Sequence, residues 1–190
     1  GIVVFNTPGA NANAVKELAV AALLLASRKI VDGINWAQTL VGNEDVAKAV
    51  EKGKSAFVGP EIAGKTLGII GLGAIGAQLA NAATHLGMKV YGYDPYITVD
   101  AAWSLSKSVN RAAIYENCDY ISIHVPSTPE TKGMINEPSI SCMKDGVRLL
   151  NLARADLVNA DAVKKALETG KVASYVTDFP TAEVLGVPGI

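Results

Sequence analysis

The chain has 190 residues, of which 49% are hydrophobic and 18% are charged. This length and apolar content can bury one substantial core, so we expect one folded domain without disorder. The formal net charge of −1 gives no electrostatic basis for binding nucleic acid or an anionic membrane, and neither is expected as a partner. The two cysteines lack C-x-x-C or metal-ligand spacing, which favours a reducing compartment, the cytoplasm, and predicts no metal site.

The N-terminal third is predicted to hold a short strand and an apolar helix. Ile2 to Phe5 predicts the strand, and Ala14 to Arg28 predicts a helix that is apolar nearly all round. Such a helix needs cover on several sides, so we expect a second subunit or another domain against it, with burial inside this domain as the alternative. The polar stretch from Gly33 to Gly59 is predicted to be irregular, apart from a short helix around Glu44 to Glu51.

The sequence predicts no targeting segment and no membrane span. The first residues lack the basic start and long apolar core of a secretory signal, and the apolar run from Val15 to Ala26 is too short to cross a bilayer. The chain starts within a predicted strand, without methionine, and stops while entering another at Gly189 and Ile190. We therefore interpret it as a piece of a longer protein.

A strand, turn, helix and strand follow one another between Lys65 and Asp94. Thr66 to Ile70 has the apolar run of a buried parallel strand, and the pattern G-x-G-x-x-G follows at once in GLGAIG. Gly71 permits the tight turn, Gly73 lets a pyrophosphate approach the backbone, and Gly76 lets the helix pack on the strand. The free amides and positive dipole of that helix, predicted over Ala77 to His85 with a stop at Gly87, attract phosphate. A purely structural glycine turn is the alternative.

An acidic residue closes the next predicted strand, Lys89 to Tyr93. Asp94 lies 18 residues beyond Gly76, where a carboxylate can accept both hydroxyls of an adenosine ribose and repel a 2′-phosphate. No arginine or lysine occurs between Asp94 and Lys107. The sequence therefore predicts NAD rather than NADP as cofactor.

The second half of the chain alternates helical and strand patterns, which predicts an α/β Rossmann fold: a doubly wound parallel sheet with helices on both faces. Short helices are predicted over Ala101 to Lys107, Arg111 to Glu116 and Pro138 to Met143, and a longer one over Asp161 to Thr169. The strands are predicted over Tyr120 to Val125, Val147 to Leu152 and Val172 to Thr177.

Several polar side chains fall at the carboxyl ends of these strands, where ligands of this fold bind. For His124 a structural role, satisfied by neighbouring backbone groups, is favoured over catalysis, and His85 is expected on the surface. Arg154 is placed to bind a carboxylate bidentately, with a surface salt bridge as an equal alternative. Asp178 and Glu183 bring two acids to the same edge.

Six motifs in order and spacing resemble the D-2-hydroxyacid dehydrogenases: GLGAIG, GYDP, HVPSTPET, LLNLARADLV, LETGKV and TDFPTAE. The N-terminal NTPGANANAVKE is most similar to the phosphoglycerate branch of that family, which serves serine biosynthesis. The resemblance covers the coenzyme domain, residues 1–190, with the helix 14–28 as its bridging and dimer-forming element. It implies that the substrate domain is largely absent from this chain.

The resemblance also implies a set of cofactor contacts. The glycine turn and helix start would hold the pyrophosphate, Asp94 the ribose, and later strand ends the adenine and nicotinamide. The implied cofactor-binding residues are Gly71, Gly73, Ala74, Ile75, Gly76, Asp94, Val125, Pro126, Leu152, Ala153, Arg154 and Asp178.

For the chemistry, the resemblance implies NAD-dependent oxidation of a 2-hydroxy acid by a homodimer. Arg154 would bind the substrate carboxylate, and Glu183 would orient the catalytic histidine in an ungapped alignment but not in one with a one-residue gap. That histidine is expected beyond Ile190, because neither His85 nor His124 matches its Pro-His motif. Another substrate, such as glycerate or lactate, and a non-catalytic NAD-sensing module of the corepressor type are the alternatives.

Overall fold

The strands form one parallel sheet. The structure, a computed structural model, describes Thr7, residues 9–97 and residues 107–190. Six strands lie in the order β3-β2-β1-β4-β5-β6, and every neighbouring pair is parallel. They are β1 (Thr66–Ile70), β2 (Lys89–Tyr93), β3 (Lys107–Ser108), β4 (Tyr120–Ile123), β5 (Val147–Asn151) and β6 (Val172–Thr177). The chain reverses its direction of winding between β1 and β4, which is the position where ligands of this fold bind.

Helices cover both faces of this sheet, so the predicted doubly wound architecture is confirmed. They are α1 (Ala12–Ser27), α2 (Ile30–Gln38), α3 (Val46–Gly53), α4 (Ala74–His85), α5 (Arg111–Asn117), α6 (Glu137–Ser141) and α7 (Ala160–Glu168). Short 3-10 helices occupy Lys54–Phe57 and Ala155–Leu157. No helix in the described part of the chain combines the length and apolarity needed to cross a membrane.

The core has two apolar layers because side chains alternate along buried strands. Leu67 and Ile69 of β1 pack with α1 and α4, whereas Ile70 packs with α5, α6 and α7. Gly68 lets α5 approach the sheet closely, since a Cβ at that position would lie 2.4 Å from Ile114 Cγ2. The sheet is therefore buried on both faces, as the continuous apolar runs of its strands predict.

Helix α1 is covered on one side and exposed on the other. It starts at Ala12, two residues earlier than predicted, and buries Ala19 and Leu23 in the layer shared with α4. Leu18 remains 45% exposed, and Leu24 and Leu25 remain 41% exposed. Burial within this domain therefore accounts for part of the apolar surface, and a partner over the rest stays a prediction. The strand predicted over residues 2–5 lies outside the described residues.

The stretch predicted to be irregular contains a helix, α2, which is a correction to the sequence analysis. Gly33 in its first turn lowers its intrinsic propensity, so the pattern is weak. Contacts from later residues stabilise it: Phe57 packs on Gly33, and the rings of Trp36 and Phe57 lie 5.1 Å apart. The predicted helix that follows is α3, which begins after Asp45, whose side chain accepts a hydrogen bond from Lys48 N at 3.0 Å.

Other boundaries differ from prediction by a few residues. Helix α4 begins at Ala74 rather than Ala77, and β4 ends at Ile123 rather than Val125. Of the helix predicted over Ala101 to Lys107, residues 101–106 lie outside the described residues, and Lys107 belongs to β3. Such differences arise because residues at the end of a helix or strand can join or leave it without any change in the type of residue, so the sequence does not mark the boundary.

Buried polar contacts tie the C-terminal end of α1 to the sheet. Ser27 Oγ donates to Leu23 O at 2.6 Å and lies 2.8 Å from Tyr120 Oη. A hydroxyl has one proton, so Tyr120 must be the donor to Ser27. Arg148 Nε donates to Ala26 O at 2.8 Å, and its guanidinium lies 5.4 Å from the centre of the Tyr120 ring.

We expect Tyr120→Phe to lower the free energy of unfolding by about 1 kcal/mol, because Ser27 loses a buried donor while the ring packing is kept. Denaturant unfolding followed by circular dichroism measures this change. Tyr96→Phe is the matched control, since Tyr96 is 93% exposed. Equal stability of the two variants would contradict the role given to the Ser27 contact.

Candidate functional site

The glycine turn after β1 is closely packed at two positions and open at a third. Gly71 has φ +100, and a Cβ there would lie 2.7 Å from His124 O. A Cβ on Gly76 would lie 1.9 Å from Gly71 O, so the helix can approach the turn only with glycine there. At Gly73 an added Cβ would meet no described protein atom within 4 Å. Since the protein itself does not fill the space at Gly73, a ligand can approach the backbone there.

Helix α4 presents its positive end to that open space. Gly73 is the N-cap, and the first turn of α4 contains no acidic residue. The first amides of an α-helix have no acceptor inside the helix, and the helix dipole places partial positive charge beside them. The amides around Ala74 and Ile75 therefore suit a pyrophosphate, as the spacing predicts.

Asp94 is bonded to the glycine turn itself. Its Oδ2 accepts a hydrogen bond from Leu72 N at 2.8 Å. Its Oδ1 accepts from Tyr96 N at 2.8 Å and from Ile97 N at 3.1 Å. A carboxylate has about four acceptor positions. The sequence analysis expects Asp94 to accept both ribose hydroxyls, but three amides leave it room for about one.

A cleft of about 500 Å³ opens at the carboxyl ends of the strands. Seven of the predicted site residues line it: Ile75, Val125, Pro126, Leu152, Ala153, Arg154 and Asp178. Five further residues complete it: Asn11, Val15, His124, Ser127 and Phe179. The strand-end rule thus groups residues that lie far apart in sequence.

The start of α1 forms a wall of this cleft that the sequence analysis did not predict. Asn11 and Val15 line the cleft, and a Cβ on Gly9 would lie 3.6 Å from Ala74 Cβ. Asn11 is the N-cap residue of α1, but its side chain makes no capping hydrogen bond. The missing capping contact indicates that Asn11 has another role, but only the structure reveals it.

Arg154 contributes an exposed guanidinium to the cleft. Its Nη1 donates to Ala153 O at 2.6 Å, and its Cζ lies 5.6 Å from the centre of the Phe179 ring. None of the ion pairs found among the described residues includes Arg154. The alternative of a surface salt bridge therefore finds no support among the described residues, and a contact with a substrate carboxylate stays a prediction.

Glu183 lies in a different pocket from Arg154. This side pocket has a volume of about 230 Å³ and is lined by Asp156, Tyr175, Thr181 and Glu183 among others. Phe179 lines both the cleft and the side pocket. The structure therefore brings Arg154 and Asp178 together in the cleft, whereas Glu183 lines the side pocket that shares Phe179 with it.

The two histidines differ in environment. His85 is exposed at the last residue of α4, as predicted. His124 lies in the cleft wall, where its Nε2 is 2.8 Å from Oγ of the fully buried Ser122. The imidazole of His124 therefore makes a hydrogen bond with a side-chain hydroxyl, whereas the sequence predicted contacts with backbone groups. Burial lowers the pKa of His124 to about 4, so its ring is neutral at pH 7.

Comparison with known proteins identifies the class of this domain. Residues 20–187 match the family model described as "D-isomer specific 2-hydroxyacid dehydrogenase, NAD binding domain". The chain belongs to the D-isomer specific 2-hydroxyacid dehydrogenase family, and it corresponds to the NAD-binding domain of that family.

Curated relatives of this chain include D-3-phosphoglycerate dehydrogenases. That of Synechocystis sp. is 34% identical over 98% of this chain, and that of Bacillus subtilis is 37% identical over 94%. The chain spans 32% of the length of each.

Solved structures of other family members also match. D-lactate dehydrogenase from Aquifex aeolicus, solved with NAD and lactic acid, gives a TM-score of 0.81 at 32% identity. Its alignment covers 96% of this chain and 52% of that protein. D-mandelate dehydrogenase from Rhodotorula graminis gives 0.82 at 28% identity, covering 94% and 54%. NAD is therefore the cofactor of this domain, and the open backbone at Gly73 and the acid at Asp94 fit it.

We expect Asp94→Ala to weaken NADH binding in two separable ways, through the ribose and through the turn that Leu72 anchors. Wild type and variant are titrated with NADH, with NADPH, and with an NADH analogue lacking the 2′- and 3′-hydroxyls of the adenosine ribose. The variant should bind even the analogue on the order of tenfold more weakly, because a hydrogen bond to a charged group contributes about 1.5–3 kcal/mol. Its preference for NADH over NADPH should narrow.

Asp145→Ala is the control, because the Asp145 side chain is 91% exposed and pairs only with Lys171 among the ion pairs found. If Asp94→Ala and wild type bind the analogue equally, Asp94 acts through the ribose alone. Equal affinity for NADH itself would remove Asp94 from the site.

Proposed function

We propose that the protein containing this chain is an NAD-dependent D-3-phosphoglycerate dehydrogenase, which oxidises 3-phosphoglycerate to 3-phosphohydroxypyruvate in serine biosynthesis. The observation that carries this proposal is the placement of Arg154 in the same cleft as Leu152, Ala153 and Asp178. The identity to D-3-phosphoglycerate dehydrogenases supports the choice of substrate.

The proposed cofactor roles run from the glycine turn after β1 into the cleft. Gly71, Gly73, Ala74, Ile75 and Gly76 form the pyrophosphate seat, and Asp94 accepts a ribose hydroxyl. The remaining contacts are Val125 and Pro126 on the adenine side, Leu152 and Ala153 at the nicotinamide, and Asp178 at its carboxamide. When bound, NAD supplies the hydride acceptor of the reaction.

Arg154 is proposed to bind the substrate carboxylate and to polarise the carbonyl of the keto acid. A guanidinium presents a planar pair of donors that matches a carboxylate. Phe179 and Ala153 O hold the side chain at the cleft while leaving it without a described acidic partner. An arginine held in place in this way has less side-chain freedom to lose on binding.

Glu183 is proposed to orient the catalytic histidine and to keep it protonated. Glu183 lines the side pocket, which shares Phe179 with the cleft, so this histidine is proposed to reach the edge between side pocket and cleft. His124 does not suit the role of general acid, because its pKa of about 4 leaves it neutral at pH 7. The proton donor is therefore proposed to come from outside this chain.

A second candidate is a dehydrogenase for another D-2-hydroxyacid, such as glycerate or lactate. Two basic residues, Arg154 and His124, line the cleft, and the guanidinium carries the positive charge because the imidazole is neutral. One guanidinium accounts for a carboxylate but not also for a phosphate, so the residues that choose the substrate belong to the substrate domain. A non-catalytic NAD-sensing module is the third candidate, and turnover distinguishes it from both enzymes.

The protein is also proposed to be a cytoplasmic homodimer without nucleic-acid partners. Cys118 and Cys142 are free thiols, which suits a reducing compartment. The proposed dimer surface is the exposed apolar stripe of Leu18, Leu24 and Leu25 on α1 with Ile30 and Val31 on α2. Exposed apolar area of this kind is typical of an interface between subunits.

We expect sedimentation equilibrium of the chain to show dimers that Leu25→Glu dissociates, because a charge in an apolar interface is desolvated without a partner. Leu86→Glu is the matched control: Leu86 is 42% exposed at the end of α4, against 41% for Leu25. A monomeric wild type at high concentration would contradict the proposed dimer.

We expect the 190-residue chain to bind NADH but not to turn over 3-phosphohydroxypyruvate. The cleft holds the groups needed for binding, whereas a positioned general acid typically contributes about 10²–10⁴-fold to the rate and is missing here. NADH fluorescence measures binding, and absorbance of NADH measures turnover. The same assay on the protein with its flanking segments should show turnover, fastest with 3-phosphohydroxypyruvate among that acid, hydroxypyruvate and pyruvate.

The outcomes of this assay separate the candidates. Faster turnover of pyruvate or hydroxypyruvate would replace the proposed substrate. NADH binding without turnover of any of the three by the longer protein would favour the sensing module. Steady turnover by the 190-residue chain would mean that a group inside it, such as His124, donates the proton after all.

A further inference from the structure

A fully buried asparagine lies directly beneath the loop that carries Arg154. Asn151 is the last residue of β5 and is 0% exposed. Its Nδ2 donates to Arg154 O at 2.7 Å and to Tyr175 Oη at 3.3 Å. Its Oδ1 accepts from Ala153 N at 3.2 Å. One amide therefore holds the backbone N–H of Ala153 and the backbone carbonyl of Arg154, the two ends of this dipeptide segment.

We propose that Asn151 is a positioning residue that fixes Arg154 for the substrate carboxylate by holding the segment of Ala153 and Arg154. The guanidinium is tied to the same segment, because Arg154 Nη1 donates to Ala153 O. A movement of this segment therefore moves the charged group with it. The inference rests on the proposed role of Arg154 for its catalytic consequence, but the positioning of the loop can be measured without it.

Asparagine is suited to this position because the loop needs a donor and an acceptor from one side chain. An aspartate can still accept from Ala153 N, but when ionised it cannot donate to Arg154 O. A leucine of similar size can do neither. A partly buried backbone group that loses its partner is destabilised, so the loop is expected to move until those groups reach water.

The side chain itself has little freedom to follow such a movement. Asn151 is paired in register with Ile123 of β4 on one side and with Thr177 of β6 on the other. The backbone of Asn151 is thus paired with a neighbouring strand on each side. The end of β5 is therefore the fixed point that sets the position of the loop containing Ala153 and Arg154.

The test compares Asn151→Asp and Asn151→Leu in the protein with its flanking segments. Ser27→Ala is the control, because Ser27 is also a buried polar residue but bonds Leu23 and Tyr120, away from this loop. Three quantities are measured: Kd for NADH, kcat and KM for 3-phosphohydroxypyruvate, and hydrogen exchange of the Ala153 amide.

Both Asn151 variants should lower kcat/KM for the keto acid by about 10- to 100-fold, the effect typical of a small misplacement of a binding group. Their Kd for NADH should change by less than about threefold, since the phosphate turn is a separate site. Exchange of the Ala153 amide should stay slow in Asn151→Asp and become on the order of tenfold faster in Asn151→Leu. Ser27→Ala should change none of the three beyond its effect on stability.

The proposal is overturned if Asn151→Asp keeps the kcat/KM of the wild type, or if NADH affinity falls as much as kcat/KM does. If the wild type turns over none of the keto acids, the proposed function fails on its own. Exchange then decides the loop inference alone: unchanged exchange of Ala153 in Asn151→Leu overturns it, and faster exchange supports it.

Discussion

The hydrogen bond from Leu72 N to Asp94 Oδ2 joins the two strands of the mononucleotide unit at the point where the cofactor must bind. It fixes the glycine turn after β1 relative to the end of β2, so the open backbone at Gly73 and the carboxylate keep one spacing. The turn is also closely packed against the end of β4, because His124 O would lie 2.7 Å from a Cβ on Gly71. Held between β2 and β4 in this way, the turn has little conformational freedom to lose when a dinucleotide binds.

The cleft depends on this fixed turn and on the order of the strands. Because all strands are parallel and the winding reverses between β1 and β4, the residues that follow β4, β5 and β6 meet at one edge. Each strand end then needs its own device to aim its loop. At β4, Ser122 contacts His124, and at β5, Asn151 holds the segment of Ala153 and Arg154. Both are fully buried polar residues, and each makes a hydrogen bond to the segment that follows its own strand.

Short-range signals made much of this predictable. Strands β1 and β2 were predicted to the residue, because the turn glycines, helix and acid all lie within one unit of about thirty residues. The features that the sequence did not predict depend on contacts between residues that are distant in the chain. Helix α2 needs Phe57, the wall formed by Asn11 needs the path of α1 past α4, and the separation of Glu183 from Arg154 depends on where Phe179 packs. None of these carries a periodicity or a motif, so the sequence alone could name the residues but not their neighbours.

The distribution of charge in the cleft separates two tasks. On the cofactor side, neutral amides, a helix dipole and one carboxylate select a dinucleotide with free ribose hydroxyls. On the side proposed for the substrate, the described cleft has the guanidinium of Arg154 and a neutral imidazole, while Glu183 lines the neighbouring side pocket. A guanidinium suits a carboxylate, but it does not distinguish the other end of a small acid. We therefore infer that this domain sets the choice of cofactor, whereas the substrate domain sets the choice of substrate and supplies the group that transfers the proton.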